Sequence, residues 1–238
     1  TALWENHEVA TFEPLPGVLA RRRLHWACGL IFPALAPEDR FIHQCVHLLS
    51  HTLQFWIRLA WLYELAGFLA GAQTNAPFWQ SVEERIGGAD CIAKAVRLAT
   101  LLAVCVFGGQ APRFQMDDYR SLALWVREYG GKWAMYGLPG SKLSLFLFRE
   151  FTDEQRWRRL EQRRLFPLHR PPAVTQTSFW HPRRTLRSHF AECRYAGRRF
   201  MFHIRETWRY LRERSHWQRR LLTLQQAVPP RQVETVSR

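Results

Sequence analysis

Long apolar runs, paired cysteines and phosphate-cradling glycine motifs are all missing from this chain. The longest apolar runs, at residues 59–71 and 98–107, are short or carry Glu64. A bilayer-spanning helix needs about 18 uninterrupted apolar residues, so no transmembrane span is predicted. No basic-then-apolar leader opens the chain, and the first residue is Thr1, so the reading is of a fragment whose beginning is missing. The five cysteines (Cys28, Cys45, Cys91, Cys105 and Cys193) are odd in number, scattered and without a CxxC. They read as buried thiols in a reducing cytosol, which makes the expected location cytoplasmic. Neither GxxxxGK[ST] nor strand–GxGxxG–helix occurs, so the glycine pairs read as helix caps rather than as a phosphate loop.

Acidic residues are also scarce, 20 against 34 Lys and Arg, for a net charge of +14. The deficit is local. Residues 1–140 hold 12 basic and 12 acidic side chains, whereas residues 141–238 hold 22 and 8. Such asymmetry speaks of partners rather than of fold. With 238 residues, 47% of them hydrophobic, the chain can bury one core, or one core and a loose appendage.

Residues 37–71 form the stretch around which the rest is expected to pack. Pro37, Glu38 and Asp39 suit a helix start. Phe41, Cys45, Leu48, Leu49 and Leu53, then Trp56, Ile57, Ala60, Trp61, Leu65 and Phe68, recur at helical spacing. A single helix would be long, so a bend near residues 50–52 into two helices is predicted. His43, His47 and His51 fall four apart on one face. Two imidazoles at that spacing can share a metal, but HLLSH is not HExxH and no further ligand lies nearby, so the reading is no metal site and a stripe of packed rings.

Elsewhere, segments 7–14 and 18–26, joined at Leu15-Pro16-Gly17, read as a β-hairpin completing a sheet upstream. Helices are predicted over 78–86, over 91–107 with Asp90 as cap, and over 116–129 with Asp117 and Asp118 at its start. Residues 142–165 read as one helix or two, and 166–182 as a proline-rich linker or strap. From 183 the chain turns helical again. Leu186, Phe190, Cys193, Gly197, Phe200, Ile204, Trp208, Leu211 and Leu222 trace one stripe. Arg194, Arg198, Arg199, Arg205, Arg209 and Arg212 are the candidate polyanion contacts. That helix fits three uses: packing on the bundle with arginines facing solvent or an acidic protein, contact with nucleic acid, or contact with an anionic membrane surface.

The fold class is therefore mainly α: a helical bundle (36–166) with a small N-terminal β-hairpin (1–35), a linker (167–182) and a long basic C-terminal helix (183–238). APEDRFIHQCVHLLSHTLQFWIRLAWLYELAGFL resembles an uncharacterised nucleotidyltransferase family of bacteria, in which a hairpin and a spEDllLHlclH helix lead into an rLrWlyDia helix. The matching residues are Pro37, Glu38, Asp39, His43, His47, Arg58, Leu59, Trp61 and Glu64, the last where the family often has aspartate. KLSLFLFREFTDEQRWRRL is similar to a second stretch of that family, and the resemblance runs to about residue 170.

The resemblance implies transfer of a nucleotidyl group from a nucleoside triphosphate with magnesium, on a half that lies N-terminal to the hairpin. That half carries a Gly-Ser or Gly-Gly turn and an Asp-x-Asp strand, and this chain has no such arrangement. Asp117-Asp118 are adjacent and cannot replace it. No catalytic residue is therefore assigned. Glu38, Asp39, His43, His47, Arg58, Trp61 and Glu64 are the substrate-side or structural candidates, with Glu38 and Asp39 as a helix cap and Glu64 as a buried partner for Arg58 among the alternatives. The implied partner is the missing catalytic half, and the chain alone is expected to be inactive.

Overall fold

The arrangement follows from how little of one helix, Asp90–Phe107, reaches water. The computed structural model describes residues 15–53, 58–110, 119–131, 142–165 and 186–226. In chain order these form β1 (Arg23–Ala27), β2 (Leu30–Ala34), α1 (Pro37–Leu53), α2 (Leu59–Ala72), α3 (Ala76–Ile86), α4 (Asp90–Phe107), α5 (Arg120–Tyr129), α6 (Ser144–Phe148) with a 3-10 turn (Arg149–Phe151), α7 (Glu154–Leu165) and α8 (Leu186–Gln226). The class is mainly helical with one antiparallel hairpin and a long terminal helix, as the sequence predicts. The chain divides into two compact units, Thr1–Trp157 and Arg158–Arg238.

In the first unit α4 is the hub, packed by α1, α2, α3 and α5. This corrects the expectation that residues 37–71 hold the centre. The reason is composition: Ile92, Val96, Ala99, Ala103 and Val106 cover one face, and Ala93, Ala95, Leu98 and Leu102 bury much of the remainder. A helix apolar nearly all round must be surrounded. Gly108 and Gly109 end it at φ +80° and +105°, a region that L side chains avoid, and the Gly108 N–H closes the last turn on the Val104 carbonyl at 2.8 Å.

Residues 37–71 do form two helices, but the break falls after Leu53, not at 50–52. Ser50 and Thr52 turn their hydroxyls back to the carbonyls of Val46 and Leu48 at 2.9 and 2.8 Å, which accommodates them inside α1. Trp56 and Ile57 lie outside the described residues. Helix α3 opens one residue before Pro77, because Asn75 Oδ1 accepts the Phe78 N–H at 3.1 Å. Asp90 is the first residue of α4 rather than its cap, and pairs with Lys94 at 2.7 Å. Asp117, Asp118, segment 7–14 and the linker lie outside the described residues.

The hairpin is displaced from its predicted place. Its strands pair Leu24 with Pro33, His25 with Phe32 and Trp26 with Ile31, and the turn is Cys28-Gly29. Both turn residues have positive φ, +52° and +79°, the twist a two-residue hairpin loop requires. Leu15-Pro16-Gly17 is a turn as well, but precedes the hairpin. Among the cysteines only Cys45 is buried and Cys91 partly so. Cys28, Cys105 and Cys193 are exposed, which corrects the reading of buried thiols. They sit at a turn tip and on outward helix faces, positions the sequence pattern does not separate from the core.

At the junction of α1, α2 and α3 the rings of Phe41, Phe68, Phe78 and Trp79 lie 4.8 to 5.9 Å apart, with Phe41 fully buried. Phe41→Ala should cost about 3–5 kcal/mol of unfolding free energy, by ring transfer and cavity together. Urea denaturation followed by circular dichroism reads this, and a loss under about 1 kcal/mol would show that the cluster does not hold the three helices.

Candidate functional site

Two carboxylates open α1, where the positive end of a helix favours them. Their geometry goes well beyond capping. Asp39 is inaccessible to solvent in its side chain. Arg21 reaches it from the turn before β1, with Nε donating to Oδ2 at 3.0 Å and Nη2 to Oδ1 at 2.8 Å. Arg85, from the last turn of α3, approaches Oδ2 at 2.9 Å and extends its other nitrogen to Glu38 Oε2 at 3.0 Å. The Pro16-Gly17 turn seats Arg21, whose Nη1 donates to the Pro16 carbonyl at 2.8 Å. Gly17 has φ +70°, and a Cβ there would stand 3.0 Å from that nitrogen. Burial by itself raises the Asp39 carboxyl; the Arg21 hydrogen bond and the charges of Arg85 and Arg21 override it and hold the group below the usual carboxylate range. The fork of Arg21 meets both carboxylate oxygens, which a lysine cannot do.

One turn further along α1, His43 and His47 are exposed and His51 is half-buried. The His47 and His51 rings lie 4.4 Å apart, and both meet Trp61 of α2, at 5.0 and 4.5 Å. Arg58 places its guanidinium 5.5 Å from the Trp61 ring centre. Burial and then the neighbouring His43 lower the pKa of His47. Burial, His47 and Arg58 do the same for His51. Both imidazoles are therefore neutral at pH 7. With Trp61 the two rings make an uncharged aromatic surface, and Arg58 stands at its edge. Glu64 is exposed, so it is not a buried partner for Arg58; the guanidinium has a ring to cover instead.

The profile of a family described as an uncharacterised nucleotidyltransferase matches residues 1–108. The resemblance carried by Pro37, Glu38, Asp39, His43, His47, Arg58 and Trp61 thus holds from the hairpin through α4. The second resembling stretch, 142–160, lies beyond the match. Comparison with curated proteins and with solved structures gave no match.

The nucleotidyltransferase activity that such a family name implies needs carboxylates free to hold magnesium. The two carboxylates that open α1 do not fit that role. Both Asp39 oxygens are engaged by guanidinium groups, and Glu38 shares one of them. Among the described residues no three His, Cys, Asp or Glu side chains converge on a metal position. Sequence reasoning missed Arg21 and Arg85, and also Arg97, which donates through Nη2 to both Glu83 oxygens at 2.8 and 2.7 Å and carries the Tyr119 ring 4.9 Å from its guanidinium carbon. These two residues, with Gly87, Gly88 and Asp90, line a polar cleft of about 340 Å³. The only signal for these three arginines was the abundance of arginine itself.

In the second unit, the polyanion candidates fall on different faces of α8. At about 100° per residue, Arg194, Arg198, Arg205, Arg209 and Arg212 share one flank, joined by Arg219. Arg199 lies on the opposite, half-buried side. Of the stripe traced in the sequence, Phe190, Cys193, Gly197, Phe200, Ile204, Trp208, Leu211 and Leu222 are exposed, while Glu206, Tyr210 and Trp217 are buried. The inward face is polar because Tyr210 Oη donates to Glu161 Oε1 of α7 at 2.6 Å, and Arg214 approaches the same oxygen at 3.5 Å.

Asp39 should dominate acid stability. Its native pKa lies below the unfolded value, so its contribution is present above about pH 4 and disappears as the pH falls through the native pKa. Asp39→Ala should lose about 3 kcal/mol at pH 7 by stranding two guanidinium groups, and its urea midpoint should be flatter than that of the unaltered chain below pH 4. The histidines add a window at higher pH. With native pKa values below that of a free imidazole, the unfolded chain takes up protons first, so stability falls from about pH 6.5 downward. His47→Gln with His51→Gln should remove that slope, and an unchanged slope would refute the assignment.

Proposed function

We propose that this chain is the helical part of a nucleotidyltransferase-like protein, bracing a catalytic half through its β-hairpin and shaping the side on which the acceptor binds. One observation carries the reading: within the segment that matches the family, the hairpin is apolar on both faces and exposed on both. Leu24 is 79% accessible, Trp26 69%, Leu30 68% and Ile31 68%. Two strands alone are marginal in water, and such a ribbon is stabilised by joining a sheet.

The register supports one edge over the other. In a two-residue hairpin the pair next to the turn, Ala27 and Leu30, is hydrogen-bonded, and pairs alternate from there, so Leu24 and Pro33 form a pair without ladder bonds. The nitrogen of Pro33 then faces the outer edge of β2, and proline has no hydrogen to give a neighbouring strand. The added strand therefore pairs with β1. Arg21, clamped by Asp39 two residues before β1, fixes the angle at which the ribbon leaves the bundle.

On this reading Glu38 and Asp39 belong to the joint. His43, His47, Trp61 and Arg58 form the surface offered to an acceptor, with the neutral His47 imidazole available to donate or accept. Magnesium and a nucleoside triphosphate are bound by the other half. The purified chain, given nucleoside triphosphates and magnesium, should release no pyrophosphate; turnover at an enzymatic rate would defeat the proposal. In a protein that also carries the Asp-x-Asp sheet, Trp26→Lys with Ile31→Lys should lower transfer at least tenfold while leaving the helical melting transition in place, because both residues are exposed in this chain.

A further inference from the structure

We infer that α8 is an interfacial helix that lies on an anionic lipid surface, its exposed apolar stripe immersed at the headgroup boundary and its arginine row paired with lipid phosphates. This goes beyond the nucleotidyltransferase reading and does not depend on it. The helix is 41 residues long, about 60 Å. Phe190, Phe200, Met201, Ile204, Trp208 and Leu211 share one face at about 100° per residue, and each is between 45% and 73% accessible. A stripe of large exposed apolar side chains, densest from Phe200 to Leu211, marks an interaction site. Directly behind it lie the buried Glu206, Tyr210 and Trp217, so the stripe points away from the α7–α8 packing.

The charge placement selects the occupant. Arg194, Arg198, Arg205, Arg209, Arg212 and Arg219 run beside the stripe along one flank. The side chains of Arg205 and Arg212 are 75% and 71% accessible. Arg194, Arg198 and Arg205 also line a surface recess of about 810 Å³ with Gly197, whose missing side chain opens onto free space. An interfacial helix is built this way, with large apolar residues on one side, arginines at the boundary and little total hydrophobicity. No helix among the described residues is long and apolar enough to cross a membrane, so the contact is lateral.

Nucleic acid would use the same arginines but leaves Met201, Ile204 and Leu211 without a role, since an aliphatic side chain has no ring face to stack on a base. A second copy would bury the stripe but set arginine rows side by side. The acidic residues that could complement them, Glu206 and Glu213, already lie within 4.0 Å of Arg205, Arg209 and Arg212 of their own helix.

The whole chain should float with vesicles of phosphatidylcholine containing about one third phosphatidylglycerol, at least tenfold more tightly than with phosphatidylcholine alone, and should lose most of this preference between about 0.05 M and 0.5 M salt. Ile204→Glu and Trp208→Glu should each weaken flotation about tenfold with melting unchanged, both sites being exposed. Arg205→Gln, Arg209→Gln and Arg212→Gln together should erase the preference for the anionic lipid. Trp26→Glu, on the hairpin, should change nothing. The inference is overturned if the chain ignores both vesicles, if the α8 variants float as the parent does, or if Trp26→Glu abolishes flotation. It fails equally if the arginine variants lose binding to an RNA oligomer without affecting vesicles, or if Ile204→Glu dissociates a dimer and leaves flotation intact.

Discussion

A single carboxylate between two guanidinium groups sets the geometry on which the first unit depends. Asp39 gathers a turn, the start of α1 and the end of α3, segments that have no local reason to meet. Taking an ionised carboxylate out of water is costly, and the arrangement tolerates it only because each oxygen has a charged donor within 3.0 Å. The same requirement makes the joint directional. A hydrophobic contact lets elements slide, whereas a forked guanidinium on a fixed carboxylate admits one approach. The hairpin that follows Arg21 therefore leaves the bundle along one line, while α1 and α3 are locked where the ring cluster around Phe41 closes.

What the sequence made legible follows from what local chemistry controls. Helical periodicity marked α1 to α4, and the Gly108-Gly109 pair ended α4 where a left-handed backbone is required. The family resemblance on residues 37–64 stands within the segment that the family profile covers. The hairpin was misplaced because Pro16-Gly17 is the stronger turn signal by residue type, yet its use is to hold Arg21. Cys28-Gly29 closes the ribbon with a residue that seldom takes positive φ. Asp39 stood out as a motif residue, but its partners sit in a distant turn and in another helix, and nothing in a single sequence pairs a given arginine with a given carboxylate.

Helix α8 exposes a deeper limit. Amphipathic pattern reports which face of a helix is apolar, not which face is covered. Here the covered face is held by Glu161, Tyr210 and Arg214, and the apolar one is left to water. A buried carboxylate–phenol hydrogen bond is worth little net stabilisation, but breaking it strands a charge, so it fixes register more than it adds strength. The two units thus treat polarity differently. The first, balanced in charge over residues 1–140, builds a dry core around α4. The second, strongly basic, keeps its polar contacts inside and presents its greasy side outward.

The tip of the hairpin carries one more consequence. Cys28 is a free thiol, accessible, and held in a left-handed conformation at the apex of the ribbon. Its rate of alkylation is thus a chemical gauge of occlusion at that end of the molecule, set against the buried sulfur of Cys45, whose thiol burial pushes far above the range where it reacts. A maleimide would tag the apex together with the exposed Cys105 and Cys193 and spare the core, so replacing those two leaves the apex as the exposed anchor for spectroscopic rulers.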